Sequence, residues 1–144
     1  MKDCKPKATP KEKGLHIDVG DKERCTNHPY RELIGCLIYA IVVTTRPDLC
    51  AATGYMSLLQ SCFDERHYNN AKHILRYIRG TIDLRMIYRK EGTTETLVCF
   101  CDADWGGDKN DRKSTSGYVF KLFGNTVSWA SKKHSNSKFV IHRS

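Results

Sequence analysis

The stretch FCDADWGGDKNDRKSTSGYVF, residues 100–120, sets Asp102 and Asp104 two apart where an apolar run gives way to a polar loop. Side chains two apart on a strand point to the same face. A carboxylate pair at that point can hold a divalent cation through its oxygens. Followed by Gly106, Gly107, Asp108 and Asp111, the same pair also makes ordinary solvated turn chemistry. Spacing alone leaves both readings open. Lys72, Arg76 and Arg79 recur at spacings of four and three, which lines them along one side of a helix. Such a strip either follows a phosphate backbone or solvates its helix. Lys132 and Lys133 form a second cationic pair after SWAS. His67 and His73, six apart, do not stack as a helical metal pair, and His134 and His142 fall in a tail without periodicity.

Other chemistries are missing from the motif record. The chain has no Gly-rich phosphate loop, no G-x-S-x-G elbow and no H-E-x-x-H. Its seven cysteines, at 4, 25, 36, 50, 62, 99 and 101, include no C-x-x-C pair. Cys36, Cys50 and Cys62 lie inside apolar helical patterns and read as small core residues. Cys99 and Cys101 share a strand face, a geometry unsuited to bridging each other. The set reads as reduced thiols of an intracellular protein, cytoplasmic or nuclear.

The elements that must position these residues come in two kinds. Leu33, Ile34, Leu37, Ile38 and Ile41 recur at helical spacing and predict a helix over about 30–44. Pro47 ends it and suits the first turn of a second helix at about 47–61, whose stripe is Leu49, Ala52, Met56 and Leu59. Asp64 caps a third, at about 65–79, with Tyr68, Ala71, Leu75 and Ile78 inward and Gly80 ending it. The period then changes. LRMIYR (84–89) and TLVCFC (96–101) predict strands around an EGTTE turn, and GYVFKLF and TVSWA predict a hairpin turning at Gly124-Asn125. That turn would set Val127 and Trp129 across from Tyr118, Phe120 and Leu122. Helices first and antiparallel strands second give an α+β class. The expected parts are an extended basic arm at 1–28, three helices within 29–80, and strands within 81–144.

Composition agrees with a folded, basic protein. The 144 residues carry 24 Lys and Arg against 16 Asp and Glu, a net charge of +8, with the excess present in all three parts. A basic balance of this kind suits a polyanion such as nucleic acid, or merely a solvated surface short of acids. No run of about 18 apolar residues predicts a membrane span, and MKDCKPKATPKEKG lacks the apolar core of a secretory signal.

Three long stretches, YRELIGCLIYAIVVTTRPDL, HYNNAKHILRYIRGT and CDADWGGDKNDRKSTSGYVFKL…VSWASKK, resemble the copia-type retrotransposon Pol polyprotein, in the family's order and over about residues 1–133. The resemblance implies that residues up to about 80 come from the end of the reverse transcriptase and its thumb or connection helices. Residues 81–144 would be a truncated ribonuclease H-like sheet. By motif, the strand Asp that binds catalytic magnesium in that family falls on Asp102, with RNA–DNA hybrid as the parent enzyme's substrate. After SWASKK the family continues into a Ser-Thr-Glu-Ala-Glu-Tyr helix that supplies the next carboxylate; here the residues are HSNSKFVIHRS. The polymerase's Tyr-x-Asp-Asp motif is also absent. The expectation is therefore a catalytically incomplete Pol fragment with no working magnesium site. The alternatives are a weak, sequence-independent nucleic-acid-binding module using Lys72, Arg76, Arg79, Lys132 and Lys133, or a co-opted host protein acting through a protein partner.

Overall fold

The computed structural model describes residues 4–12, 26–43, 46–90, 97–104 and 114–134. In chain order these form α1 (Tyr30–Val43), a 3-10 turn (Pro47–Leu49), α2 (Cys50–Ser57), α3 (Glu65–Gly80), β1 (Leu97–Asp104), β2 (Thr115–Leu122) and β3 (Asn125–Lys133). The class is α+β, as the order of periodicities predicts. The chain divides into two compact units, Met1–Met86 and Ile87–Ser144.

In the first unit, α1, α2 and α3 close around Tyr30, Ile34, Leu37, Leu49, Met56 and Ile74. Tyr30 is fully buried, stacks on Phe63 with ring centroids 4.7 Å apart, and donates its hydroxyl to the Met56 carbonyl at 2.8 Å. Burial pushes that phenol well above its ordinary pKa. The whole expected stripe of the second helix, Leu49, Ala52, Met56 and Leu59, is buried, although the α-helix itself stops at Ser57. The other two helices are rotated from expectation. On α1, Ile38 is 41% exposed while Tyr30 goes inside, and Cys36 is exposed rather than in the core. On α3 the buried residues are His67, Ala71, His73, Ile74 and Tyr77, with Tyr68, Leu75 and Ile78 only partly covered. Polar partners turn α3. His73 shares a hydrogen bond with the Thr9 carbonyl at 2.9 Å, and the Tyr77 hydroxyl donates to Asp48 at 2.8 Å.

Asp64 caps α3, as its position predicts, and does so reciprocally. Its Oδ1 accepts from the backbone N–H of Arg66 (2.8 Å) and of His67 (3.2 Å), while its own N–H donates to His67 Nδ1 at 3.0 Å. This is a capping box with histidine where Glu or Gln is usual. Gly80 is the last residue of α3 rather than a left-handed stop. Its use is close approach: a Cβ there would lie 2.9 Å from the Pro6 side chain. Residues 4–12 accordingly run along α3.

The second unit is a meander, β1–β2–β3, antiparallel throughout. The hairpin between β2 and β3 turns on Phe123 and Gly124, with φ of 48° and 76°, so Leu122 pairs with Asn125. Two positive φ values in succession are the backbone of a type I′ turn. The expected turn at Gly124-Asn125 is displaced by one residue. A register irregularity at Phe120/Lys121 then leaves Val127 without a ladder partner and puts Trp129 opposite Val119. Trp129 thus shares a face with Val119 and Phe100, not with Tyr118 and Phe120, because one step of slip exchanges the faces of a strand. Residues 84–89 do not form the expected strand beside β1. The peptide of Arg89 is taken by the Asn125 amide instead: Arg89 N–H donates to Oδ1 at 2.8 Å, and Nδ2 donates to the Arg89 carbonyl at 3.0 Å. Tyr88 adds a bond from its hydroxyl to the Thr126 carbonyl, 2.8 Å, which holds this segment at the β3 side of the sheet. The EGTTE turn, the loop after Asp104 and the tail from 135 lie outside the described residues.

Both Trp residues, 105 and 129, belong to the second unit, so tryptophan emission follows the sheet while helical ellipticity follows the first unit. Phenylalanine in a left-handed conformation costs about 1–2 kcal/mol, and asparagine tolerates it far better. Phe123→Asn should therefore raise the unfolding free energy read by tryptophan emission by about 1 kcal/mol and leave the helical transition unmoved. A lowered midpoint would mean that Phe123 packs more than it strains.

Asp64 governs the acid limit of the first unit. Burial pushes its carboxyl pKa up, but the Arg66 guanidinium at 2.8–2.9 Å and the bonds from His67 outweigh that and hold it well below the usual carboxylate range. A depressed folded pKa gives stability that is present above the unfolded value, about 3.9, and lost as pH falls through the folded one. Asp64→Ala should cost about 1 kcal/mol at neutral pH, and its gap from wild type should close below about pH 4. A gap that is constant from pH 7 to pH 2 would assign the loss to packing.

Candidate functional site

Asp102 sits within β1, two residues before its end, and not at a loop mouth. The polar row begins while the chain is still laddered. Asp102 pairs with Gly117, and Gly117 with Ser131, so on this face the carboxylate has a glycine and then a serine across the sheet. Above that row lie Phe100, Val119 and Trp129; below it Asp104 pairs with Thr115, and Thr115 with Lys133. Asp102 is exposed. Gly117 leaves open ground beside it: a Cβ there would meet only the Ala130 carbonyl, at 3.7 Å. Among the described residues no three His, Cys, Asp or Glu side chains gather as a metal cage. A two-ion centre takes several carboxylates to hold two ions about 3.5–4 Å apart; among the described residues Asp102 and Asp104 share this side of β1.

Lys132 and Lys133 pair with Ser116 and Thr115. As neighbours on one strand they face opposite sides of the sheet, so they do not form the joint cationic patch that their adjacency suggests. Lys133 shares the Asp102 side. Lys132 shares the side of Ser116, whose hydroxyl lies 2.7 Å from His134 Nε2.

The three α3 cations share one strip but not one state. Lys72 holds its ammonium 4.6 Å from the centre of the Tyr68 ring. Arg76 is exposed, while its backbone carbonyl accepts from Lys7 N–H at 3.4 Å. Arg79 donates from its guanidinium to the Cys4 carbonyl at 3.0 Å, with the Cys4 sulfur at 3.4 Å. Part of the strip therefore anchors the N-terminal segment. In exchange that segment brings Lys5, exposed, and Lys7, which pairs with Glu12 at 3.7 Å, to the same helix. Sequence periodicity misses these two, since they belong to no helix; the Pro6–Gly80 approach that seats them is a long-range contact. At the N-terminal end of α3, His28 stacks on Tyr68 and pairs with Glu65; at its C-terminal end Arg46 bridges Asp48 (2.8 Å) and the Thr81 hydroxyl (2.7 Å). These groups secure helix ends. No helix among the described residues is long and apolar enough to cross a membrane.

No family model matches the chain, and no solved structure matches it. Individual relatives do. The chain is 36% identical over 139 residues to the retrovirus-related Pol polyprotein from transposon TNT 1-94 of Nicotiana tabacum, which covers 92% of this chain and 10% of that protein. It is 37% identical over 134 residues to the corresponding polyprotein from transposon RE2 of Arabidopsis thaliana, covering 92% of this chain and 9% of the relative. It is also 46% identical over 107 residues to secreted RxLR effector protein 161 of Plasmopara viticola, covering 74% of each. The chain thus spans about a tenth of the length of the Pol polyproteins it matches, and about three quarters of the effector. Matches that take in nearly every residue of this chain, helices and sheet alike, place it in the retrotransposon Pol polyprotein family.

Proposed function

We propose that the chain is the part of a copia-type Pol polyprotein that runs from the end of the reverse transcriptase into the start of the ribonuclease H region, and that these 144 residues are catalytically incomplete on their own. The observation that carries this reading is Asp102 on the first strand of an antiparallel meander, in the CDADW motif, with the chain aligned to the polyproteins on both sides of it. Where a fuller site exists, magnesium would neutralise the phosphodiester charge and activate water. Here Asp102 would offer that ion one carboxylate, and a hydrated magnesium held by one carboxylate is bound loosely. On this reading the protein works inside the cell, on nucleic acid. Purified chain should show no magnesium-dependent cleavage of an RNA–DNA hybrid above a buffer control. Cleavage that disappears in Asp102→Asn would overturn the reading and imply that a second chain completes the site.

A nucleic-acid contact is the activity that these residues can still support. The strip on α3 and the lysines seated beside it are cationic and sequence-blind, so binding should be weak and salt-dependent. Lys72 and Arg76 are the contacts we assign first, since Arg79 is engaged with Cys4. Replacing both with glutamine should lower the slope of log affinity against log salt on duplex DNA by up to about 1.8, at about 0.9 for each lost contact. An unchanged slope would move the contacts to Lys132 and Lys133.

One observation favours a different reading, a co-opted role exercised through a protein partner. The 46% identical relative is named as a secreted effector, and this chain covers 74% of it. Recovery of a protein partner, together with no measurable affinity for nucleic acid at low salt, would select it.

A further inference from the structure

Cys99 and Cys101 are a thiol pair that the Pol reading leaves unused. β1 presents both on one face, exposed, with their sulfurs 3.1 Å apart. Across the ladder Cys99 faces Phe120 and Cys101 faces Tyr118, whose rings meet edge to face at 5.3 Å and wall one side of the pair. The sulfurs share a hydrogen bond, and that contact raises the Cys99 thiol above its ordinary pKa. Two thiolates this close repel each other, and a cation between them removes the repulsion.

Geometry separates the ways in which such a pair can be closed. A disulfide needs its sulfurs at about 2.05 Å and its Cα atoms within about 4.4–6.8 Å. Residues two apart on a strand have Cα atoms about 6.6 Å apart, at the far edge of that range, so direct oxidation must pull the strand. A bridging atom about 2.3 Å from each sulfur needs no such movement, and at the observed 3.1 Å it would subtend about 85°. That near-right angle suits a pyramidal trivalent centre. A tetrahedral ion needs about 3.8 Å between sulfurs, within reach of small side-chain rotations on an exposed face. Thiolates select soft centres over magnesium or calcium.

We infer that Cys99 and Cys101 form a two-thiolate chelate for a soft, thiophilic centre, either a trivalent arsenical or a group-12 cation. With an arylarsine oxide the two S–H bonds and the As=O bond give way to two As–S bonds and one water, and arsenic stays trivalent. With zinc or cadmium two protons leave to solvent and both thiolates bind, without redox change.

The test uses the reduced chain of 144 residues. Phenylarsine oxide at one equivalent should give a single adduct by intact-mass spectrometry. It should survive excess 2-mercaptoethanol, which strips single-thiol adducts, and be removed by 2,3-dimercaptopropanol. Cadmium alone should give an ultraviolet thiolate-to-metal charge-transfer band. Both signals should be lost in Cys99→Ser and in Cys101→Ser and kept in Cys36→Ser, an exposed cysteine elsewhere. Tryptophan emission checks that each variant retains its sheet. The arsenical adduct without the cadmium band identifies the narrow-bite trivalent centre, and the band without the adduct identifies the divalent one. Neither signal in wild type, or either signal persisting in a Cys99 or Cys101 variant, overturns the inference.

Discussion

How β3 starts its pairing with β2 is decided at Phe123 and Gly124, the two residues that take positive φ. A two-residue turn of that hand matches the right-handed twist of its strands, so it closes the hairpin without splaying it. It fixes Leu122 opposite Asn125 and Lys121 opposite Thr126 by counting. Asn125, placed at the first position of β3, is free to use its side chain on the Arg89 peptide. The irregularity that leaves Val127 unpaired resets the count by one, which brings Trp129 over Val119 and Ser131 over Gly117. Asp102, laddered to Gly117, inherits its open surroundings from that count. The β1–β2 ladder, with its own register, pairs Cys99 and Cys101 with Phe120 and Tyr118 on the opposite face.

In the first unit, polar groups decide how an apolar stripe is aimed. α3 has a stripe wide enough to pack at more than one rotation about its axis. It settles with His67 and Tyr77 inside because each has a partner there, the Asp64 cap for one and Asp48 for the other. A buried polar group without a bond costs about 1–3 kcal/mol, enough to choose between rotations whose apolar burial is similar. His73 is satisfied by Thr9, on the segment that runs along α3. The same segment takes up Arg79. Seating that stretch thus joins a stability requirement to the charge pattern of the helix surface.

The parts of this architecture legible in the sequence are those set within one element. The α+β order, the three helices, the Asp64 cap and the Leu49–Ala52–Met56–Leu59 stripe all depend on spacing along the chain. What was not legible depends on contacts between elements. Gly80 looks like a helix stop, and only Pro6 reveals it as a point of close approach. Cys36 has helical apolar neighbours, but the rotation of α1 carries it outside. LRMIYR has the composition of a strand, and a single Asn amide removes it from the expected ladder. The neighbours of Asp102 across the ladder depend on the register, which spacing along the chain does not give. Gly124-Asn125 is the stronger dipeptide signal for a hairpin, yet Phe123-Gly124 makes the turn, and the irregularity at Phe120/Lys121, which no spacing signals, then exchanges the faces of β3 from Ser128 onward.

The two units differ in how their apolar residues are used, and that difference bears on the chemistry. Every fully buried residue among those described lies between Tyr30 and Tyr77. In the sheet, Phe100 is 55% and Val127 48% exposed, and Tyr118 and Leu122 are more than a third exposed on their strand. Strands with one wet face alternate apolar and polar residues, whereas near-continuous apolar runs belong to sheets covered on both sides. LVCFC and YVF are runs of the second kind. They place Phe100, Val119 and Trp129 on one face and Cys99, Cys101, Tyr118 and Phe120 on the other. Such a pattern is suited to packing on both faces over its first half. It stops at the row Asp102–Gly117–Ser131, where no large apolar side chain remains. The apolar rows are the part of the sheet that others can cover, and the polar row is the part left for solvent and charge. That division puts the Asp102 carboxylate at the boundary between the apolar rows of the sheet and its polar ones.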